Sequence, residues 1–209
     1  MPQGLPSATI FIWYPHGDCV GHASMYIGNY EVGKRFELSF DPNSPTGLMP
    51  NALETSMGAD NVHYNTNYVS WWPEGDGSLT NRLTAAPMPG VYKDVAAEGS
   101  EPHVVYELYG LNVAAMRECW HKTRDKPDAS YQLIRKNCSG IVARVLNAGG
   151  ANKKLNMLTR MWFSHRAIWT PKRVAMVCNE LRNKDLAIKS KAGNCPPKDS
   201  KLMGVLGMR

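Results

Sequence analysis

The run Asn137-Cys138-Ser139-Gly140, followed directly by Ile141-Val142-Ala143-Arg144-Val145-Leu146, constrains this chain more than any other stretch. Ile141, Val142, Val145 and Leu146 recur at the spacing of one helix face, and Gly149-Gly150 supplies a stop. The cysteine therefore sits at the mouth of a buried helix. There the positive end of the macrodipole and the unpaired N–H groups of the first turn favour thiolate over thiol. The same N–H groups suit an oxyanion on a carbonyl under attack. A buried structural cysteine is the competing reading, because free Cys is among the most buried residue types.

A second element bears on that choice. Gly21-His22-Ala23-Ser24-Met25-Tyr26-Ile27-Gly28-Asn29 reads as a short alternating strand ending in a Gly-Asn turn. Period two puts His22, Ser24 and Tyr26 on one face and Ala23, Met25 and Ile27 on the other. The apolar face belongs to a core, which leaves His22 on a polar face directed to a cleft. A histidine on a rigid strand opposite a helix-mouth cysteine is what nucleophilic cysteine catalysis requires.

Together the two motifs resemble the papain-like NlpC/P60 superfamily of cysteine peptidases and amidases. Asn137-Cys138-Ser139-Gly140-Ile141-Val142 is similar to that family's nucleophile motif, and Gly21 to Gly28 to its Gly-His-x-x-x-Tyr-x-Gly strand. Here His22 precedes Cys138, the reverse of the usual order, which resembles the circularly permuted branch that also contains lipid-directed acyltransferases. Within it the chain looks like papain-like antibacterial effectors of type VI secretion systems.

The resemblance implies an α+β fold, an antiparallel sheet packed against helices, with Cys138 as nucleophile and His22 as general base and acid. It places a third residue on the strand hairpinned to the histidine strand, where it would orient the imidazole. Ser70, in Tyr68-Val69-Ser70-Trp71-Trp72-Pro73, is the favoured choice, and Asp18, Glu37 and Glu74 are the alternatives. Asn137 and Ser139, flanking the nucleophile, are expected to support the site or its oxyanion. The implied activity is thiol-dependent cleavage of amide bonds in peptidoglycan stem peptides or cross-links, with an immunity protein and a secretion carrier as further partners. A lipid ester substrate and a non-catalytic wall- or protein-binding role are the other readings; the loops look polar rather than greasy, against the lipid one.

Residues 1–209 read as one domain, with a loop-rich insertion at about 29–67 and a basic surface tail at about 189–209. A hydrophobic content of 43% with 20% charged residues is ordinary for a globular protein and argues against wholesale disorder. No apolar run reaches membrane-spanning length. Met1 to Pro6 carries neither a basic n-region nor a following apolar region, so no signal peptide is expected, and delivery to a target periplasm would need a dedicated system. The net charge of +6 favours anionic partners, but no nucleic-acid-binding module accompanies it.

Cys19-Val20-Gly21-His22 holds half of a zinc-ligand spacing without a matching pair, so neither metal nor other cofactor is expected. Cys119 and Cys178 read as packing residues, with Cys195 placed to pair with Cys178 in an oxidising compartment. Strands are expected over Ala8–Tyr14 and Val104–Tyr109. Helices are expected after an Asn112 cap and after Thr170-Pro171. Residues 74–102 read as a second loop-rich region, broken by Pro87-Met88-Pro89-Gly90.

Overall fold

The computed structural model describes residues 2, 4–16, 19–31, 34, 55–57, 63–74, 83–126, 130–131, 137–164 and 168–197. A five-stranded antiparallel sheet forms its centre. β1 (Ala8–Trp13) and β2 (His22–Ile27) lie in the middle, flanked by β8 (Val104–Leu108) and β10 (Ala187–Lys191) on one side and β5 (Tyr68–Val69) on the other. The order is β10-β8-β1-β2-β5. Lys189 to Lys191, expected in the basic tail, instead form the end of the edge strand, paired with Tyr106 to Val104.

Two smaller sheets accompany it. One pairs β3 (Thr55–Met57) with β4 (His63–Asn65), and the other runs β6 (Trp71–Glu74), β7 (Leu83–Pro87), β9 (Ser130–Tyr131). The helices are α1 (Val91–Glu98), α2 (Val113–Arg124), α3 (Cys138–Ala148), α4 (Ala151–Lys154), α5 (Met157–Ser164) and α6 (Pro171–Arg182). The fold is α+β, an antiparallel sheet packed against helices. No helix among the described residues is long and apolar enough to cross a membrane.

Both faces of the sheet are covered, which explains why β1 and β2 are buried along their whole length. On one face Ala8, Ile10, Ile12, Ala23, Met25 and Ile27 meet Met116 and Trp120 of α2, Val142 and Val145 of α3, and Val174 and Cys178 of α6. On the other, Phe11, Trp13, Tyr26 and Tyr68 pack with Val91 of α1. The face of His22, Ser24 and Tyr26, expected to be a polar cleft wall, is therefore closed by aromatic rings and a helix. Its polar atoms bond inside the protein: Ser24 Oγ and Tyr68 Oη lie 2.7 Å apart.

Local chemistry sets the helix ends. Asn112 Oδ1 accepts the Ala115 N–H at 3.0 Å, and Thr170 Oγ1 accepts the Arg173 N–H ahead of Pro171. At the neck between β2 and β5, Ile27 N–H donates to the Asn67 carbonyl at 2.9 Å. The Asn67 side chain accepts from Arg117 Nε at 2.8 Å, and its N–H donates to Asn65 Oδ1 at 3.1 Å. None of the five cysteines is in a disulfide; Cys178 is fully buried, and burial pushes its thiol well up.

Gly21 fixes how the chain enters β2. Its φ is +79°, and a Cβ there would lie 2.7 Å from the Trp13 carbonyl oxygen and 2.8 Å from Pro15 N. The obstacle is backbone, which cannot swing aside. Gly21→Ala is expected to cost about 2–4 kcal/mol, combining left-handed strain with overpacking, read as a lower urea midpoint. A midpoint unchanged from wild type would show that the turn adapts.

Candidate active site

Asn137 caps α3 with an extended backbone, its Oδ1 accepting the Gly140 N–H at 2.8 Å. Its Nδ2 donates to the Trp169 carbonyl at 2.8 Å, tying the helix mouth to the segment that leads into α6. Both ends of the Asn137 amide are thus engaged in holding the helix mouth. Cys138 is the first residue of the helix, so its own N–H and that of Ser139 have no partner within the helix. Hydrophobic Ile141, Val142 and Val145 pull α3 onto β2, which carries Cys138 to the start of the strand where His22 stands.

His22 is the residue next to the thiol. Its Nε2 lies 3.0 Å from Asp94 Oδ2 and 3.2 Å from Ser70 Oγ, which leaves Nδ1 as the ring nitrogen for Cys138. The thiol sulfur also receives the Ala23 N–H, and Ser139 Oγ lies 3.9 Å away. Trp72 stacks on the imidazole at a centroid distance of 4.7 Å and 30°, while Trp13 lies 5.7 Å away at 49°. The ring is held between two indoles and cannot swing freely.

Asp94 is the carboxylate of the group. It stands in the first turn of α1, where the helix dipole favours a negative charge. Besides His22, its oxygens accept from Ser70 Oγ at 2.9 Å, from Trp72 Nε1 at 2.8 Å, and from Tyr68 Oη. Residues 68, 70 and 72 all converge on it. Ser70, expected to orient the histidine, touches both His22 and Asp94. Glu74 closes β6 opposite Thr84. Asp18 and Glu37 lie outside the described residues.

Asp94 has no local signature of its own in the sequence, where residues 74–102 read as loop-rich but hold α1. The inward residues of α1 are Val91, Asp94 and Glu98, one apolar and two acidic, so the apolar period that marks a buried helix is absent. The available signal was Pro89-Gly90 as a helix entry, followed by an acidic residue in the first turn.

The electrostatics are those of an ion pair. Burial alone would push the Cys138 thiol up, but the His22 charge and hydrogen bond, the Ala23 N–H and the Ser139 hydroxyl outweigh it, and the thiol lies below its ordinary range. Burial likewise opposes a charged imidazole, but Asp94 and Cys138 outweigh it and hold His22 well above its ordinary value. Asp94 is lowered against its burial by the charge of His22 and by hydrogen bonds from His22, Tyr68 and Ser70. The three shifts act together: the thiol ionises more readily beside a histidine that keeps its proton more firmly and a carboxylate that stays charged. One turn along α1, burial raises the Glu98 carboxyl. Among the described residues no cluster of His, Cys, Asp and Glu is arranged to hold a metal ion.

Alkylation tests this state without a substrate. Iodoacetamide should modify Cys138 at a rate that stays high below the ordinary thiol range near pH ~8.5. Asp94→Asn removes the charge that raises His22, so the imidazolium that favours the thiolate is weakened and the acid limb of the alkylation profile moves to higher pH. Ser70→Ala should move the profile less, because one neutral hydrogen bond is worth about 1 kcal/mol. Equal shifts for the two variants would overturn Asp94 as the principal partner of His22.

Comparison with known proteins gives this constellation its setting. The chain is 43% identical over 84 residues to the multifunctional-autoprocessing repeats-in-toxin of Vibrio cholerae serotype O1, and 42% identical over 84 residues to that of Vibrio vulnificus. Each match covers 40% of this chain and 2% of the toxin, so the chain corresponds to a small segment of these relatives. The IcsB middle domain model matches residues 80–199, a span that holds Asp94 and Cys138 and begins after His22 and Ser70. The NlpC/P60 resemblance rests on the two short motifs, whereas this match covers more than half of the sequence, and the chain belongs to the IcsB middle domain family.

Proposed function

We propose that this chain is a cysteine-dependent acyl-transfer enzyme of a bacterial toxin or effector. The observation that carries the reading is the buried Cys138–His22–Asp94 arrangement at the mouth of α3. The Cys138 thiolate attacks the substrate carbonyl carbon, and the carbonyl electron pair moves to oxygen near the first-turn N–H groups. As the tetrahedral species collapses, the His22 imidazolium gives its proton to the leaving amine and a thioester remains. Neutral His22 then takes a proton from water as the water attacks the thioester. Cys138 leaves as thiolate, which restores the starting ion pair. Asp94 stays ionised throughout and holds the imidazole in its useful orientation.

For the substrate, the motif resemblance favours an amide bond in a peptidoglycan stem peptide or cross-link, met in the target-cell periplasm. An immunity protein that protects the producer and a secretion carrier belong to the same reading. The second reading keeps the chemistry up to the thioester and transfers the acyl group from or to a lipid. A specific observation favours it: Met157, Leu158 and Met161 of α5 are exposed. A purely binding role would leave the lowered Cys138 thiol without a use.

Purified peptidoglycan should be digested by wild type and by Cys138→Ala, with products read by mass spectrometry. New muropeptides from wild type alone, lost by at least ~100-fold in the variant, are the expected result. Products from both would end the cysteine mechanism. Intact peptidoglycan alongside Cys138-dependent change in a total lipid extract would transfer the assignment to the lipid reading.

A further inference from the structure

The surface formed by α5 and the neighbouring turn of α6 has a character that the catalytic group does not explain. Leu158 is 81% exposed, Met157 67% and Met161 48%, three large apolar side chains within one helical turn and a half. Asn156, whose Oδ1 accepts the Thr159 N–H and so caps this helix, donates its own N–H to Glu180 Oε1 of α6. One turn back from Glu180 along α6 stands Met176, also exposed. Met176 adds a fourth exposed apolar side chain, on the helix that Asn156 joins to α5 through Glu180.

Their electrostatic surroundings are mainly cationic, with Glu180 held by the Asn156 N–H and paired with Lys184. Between Asp128 and Glu180 every charged residue of the sequence is Lys or Arg. Lys153 and Arg160, which bracket the start of the patch, are exposed. Exposed apolar residues set among cations match a bilayer interface, where methionine and leucine enter the acyl boundary and the cations meet anionic headgroups. A soluble polyanion such as nucleic acid would answer the charge and leave Leu158 and Met157 in water.

We propose that α5 and the adjoining turn of α6 form a docking surface for an anionic lipid bilayer. The helix lies in the interface and does not span it. The surface is coupled to the catalytic group through sequence and contact: the chain leaving α5 reaches Trp169, whose carbonyl holds Asn137, the cap of the nucleophile helix. This inference stands independently of the bond that Cys138 attacks.

The test is flotation of the full chain with phosphatidylcholine vesicles containing about one third phosphatidylglycerol, in low salt. Wild type and Cys138→Ala should float equally. Leu158→Glu combined with Met161→Glu should reduce flotation at least ~10-fold, and vesicles of phosphatidylcholine alone should show a similar loss. Both substituted residues are exposed, and matching circular dichroism melts would confirm that the variant folds. Wild type remaining with the soluble fraction, the double variant floating like wild type, or equal flotation with neutral vesicles would each overturn the proposal. Retention on heparin without flotation would reassign the patch to soluble polyanions.

Discussion

The arrangement of the site depends on one buried charge. Asp94 is wholly enclosed, and an enclosed carboxylate persists only when its lone pairs are answered by donors and its charge by a cation. Four side chains do this: Tyr68, Ser70, Trp72 and His22. Because the donors come from β2 and from the stretch running β5 to β6, a single carboxylate locks α1 to the edge of the central sheet. It also locks the imidazole ring, since the indole that donates to Asp94 is the one stacked on His22. The contacts that hold the fold together here also align the His22 ring.

This arrangement explains which parts were legible in the sequence. Cys138 and His22 stand out as candidates because each has a local signature, one a capped apolar helix and the other a Gly-flanked strand. The core strands and the caps at Asn112 and Thr170 were legible for the same reason. Asp94 could not be found that way. Its partnership with His22 spans 72 residues, and its helix shows acidic residues where a local reading looks for apolar ones. The polar face of β2 failed for a related reason. Alternation identifies two faces correctly, but it cannot tell whether a distant helix covers the second one, as α1 does here.

Trp71 and Trp72 show how finely adjacent residues divide these duties. Trp71 packs edge-on against Trp120 of α2 in the main core, with centroids 6.0 Å apart. Its neighbour points the other way and meets His22 and Asp94. Strand alternation thus places a core anchor and an active-site indole side by side, so a movement of the core beneath β6 would be felt directly at the imidazole.

The neck at Asn67 has a consequence for how such a domain can diversify. β2 and β5 are neighbours in the sheet, yet the sequence between them is long, and its two ends are clamped by Ile27, Asn65 and Arg117 around one asparagine. Everything that aligns Cys138, His22 and Asp94 lies outside that clamp. Extending a closed excursion costs only slowly growing loop entropy. The length of sequence between β2 and β5 can therefore change at small entropic cost while the contacts that align Cys138, His22 and Asp94 stay fixed.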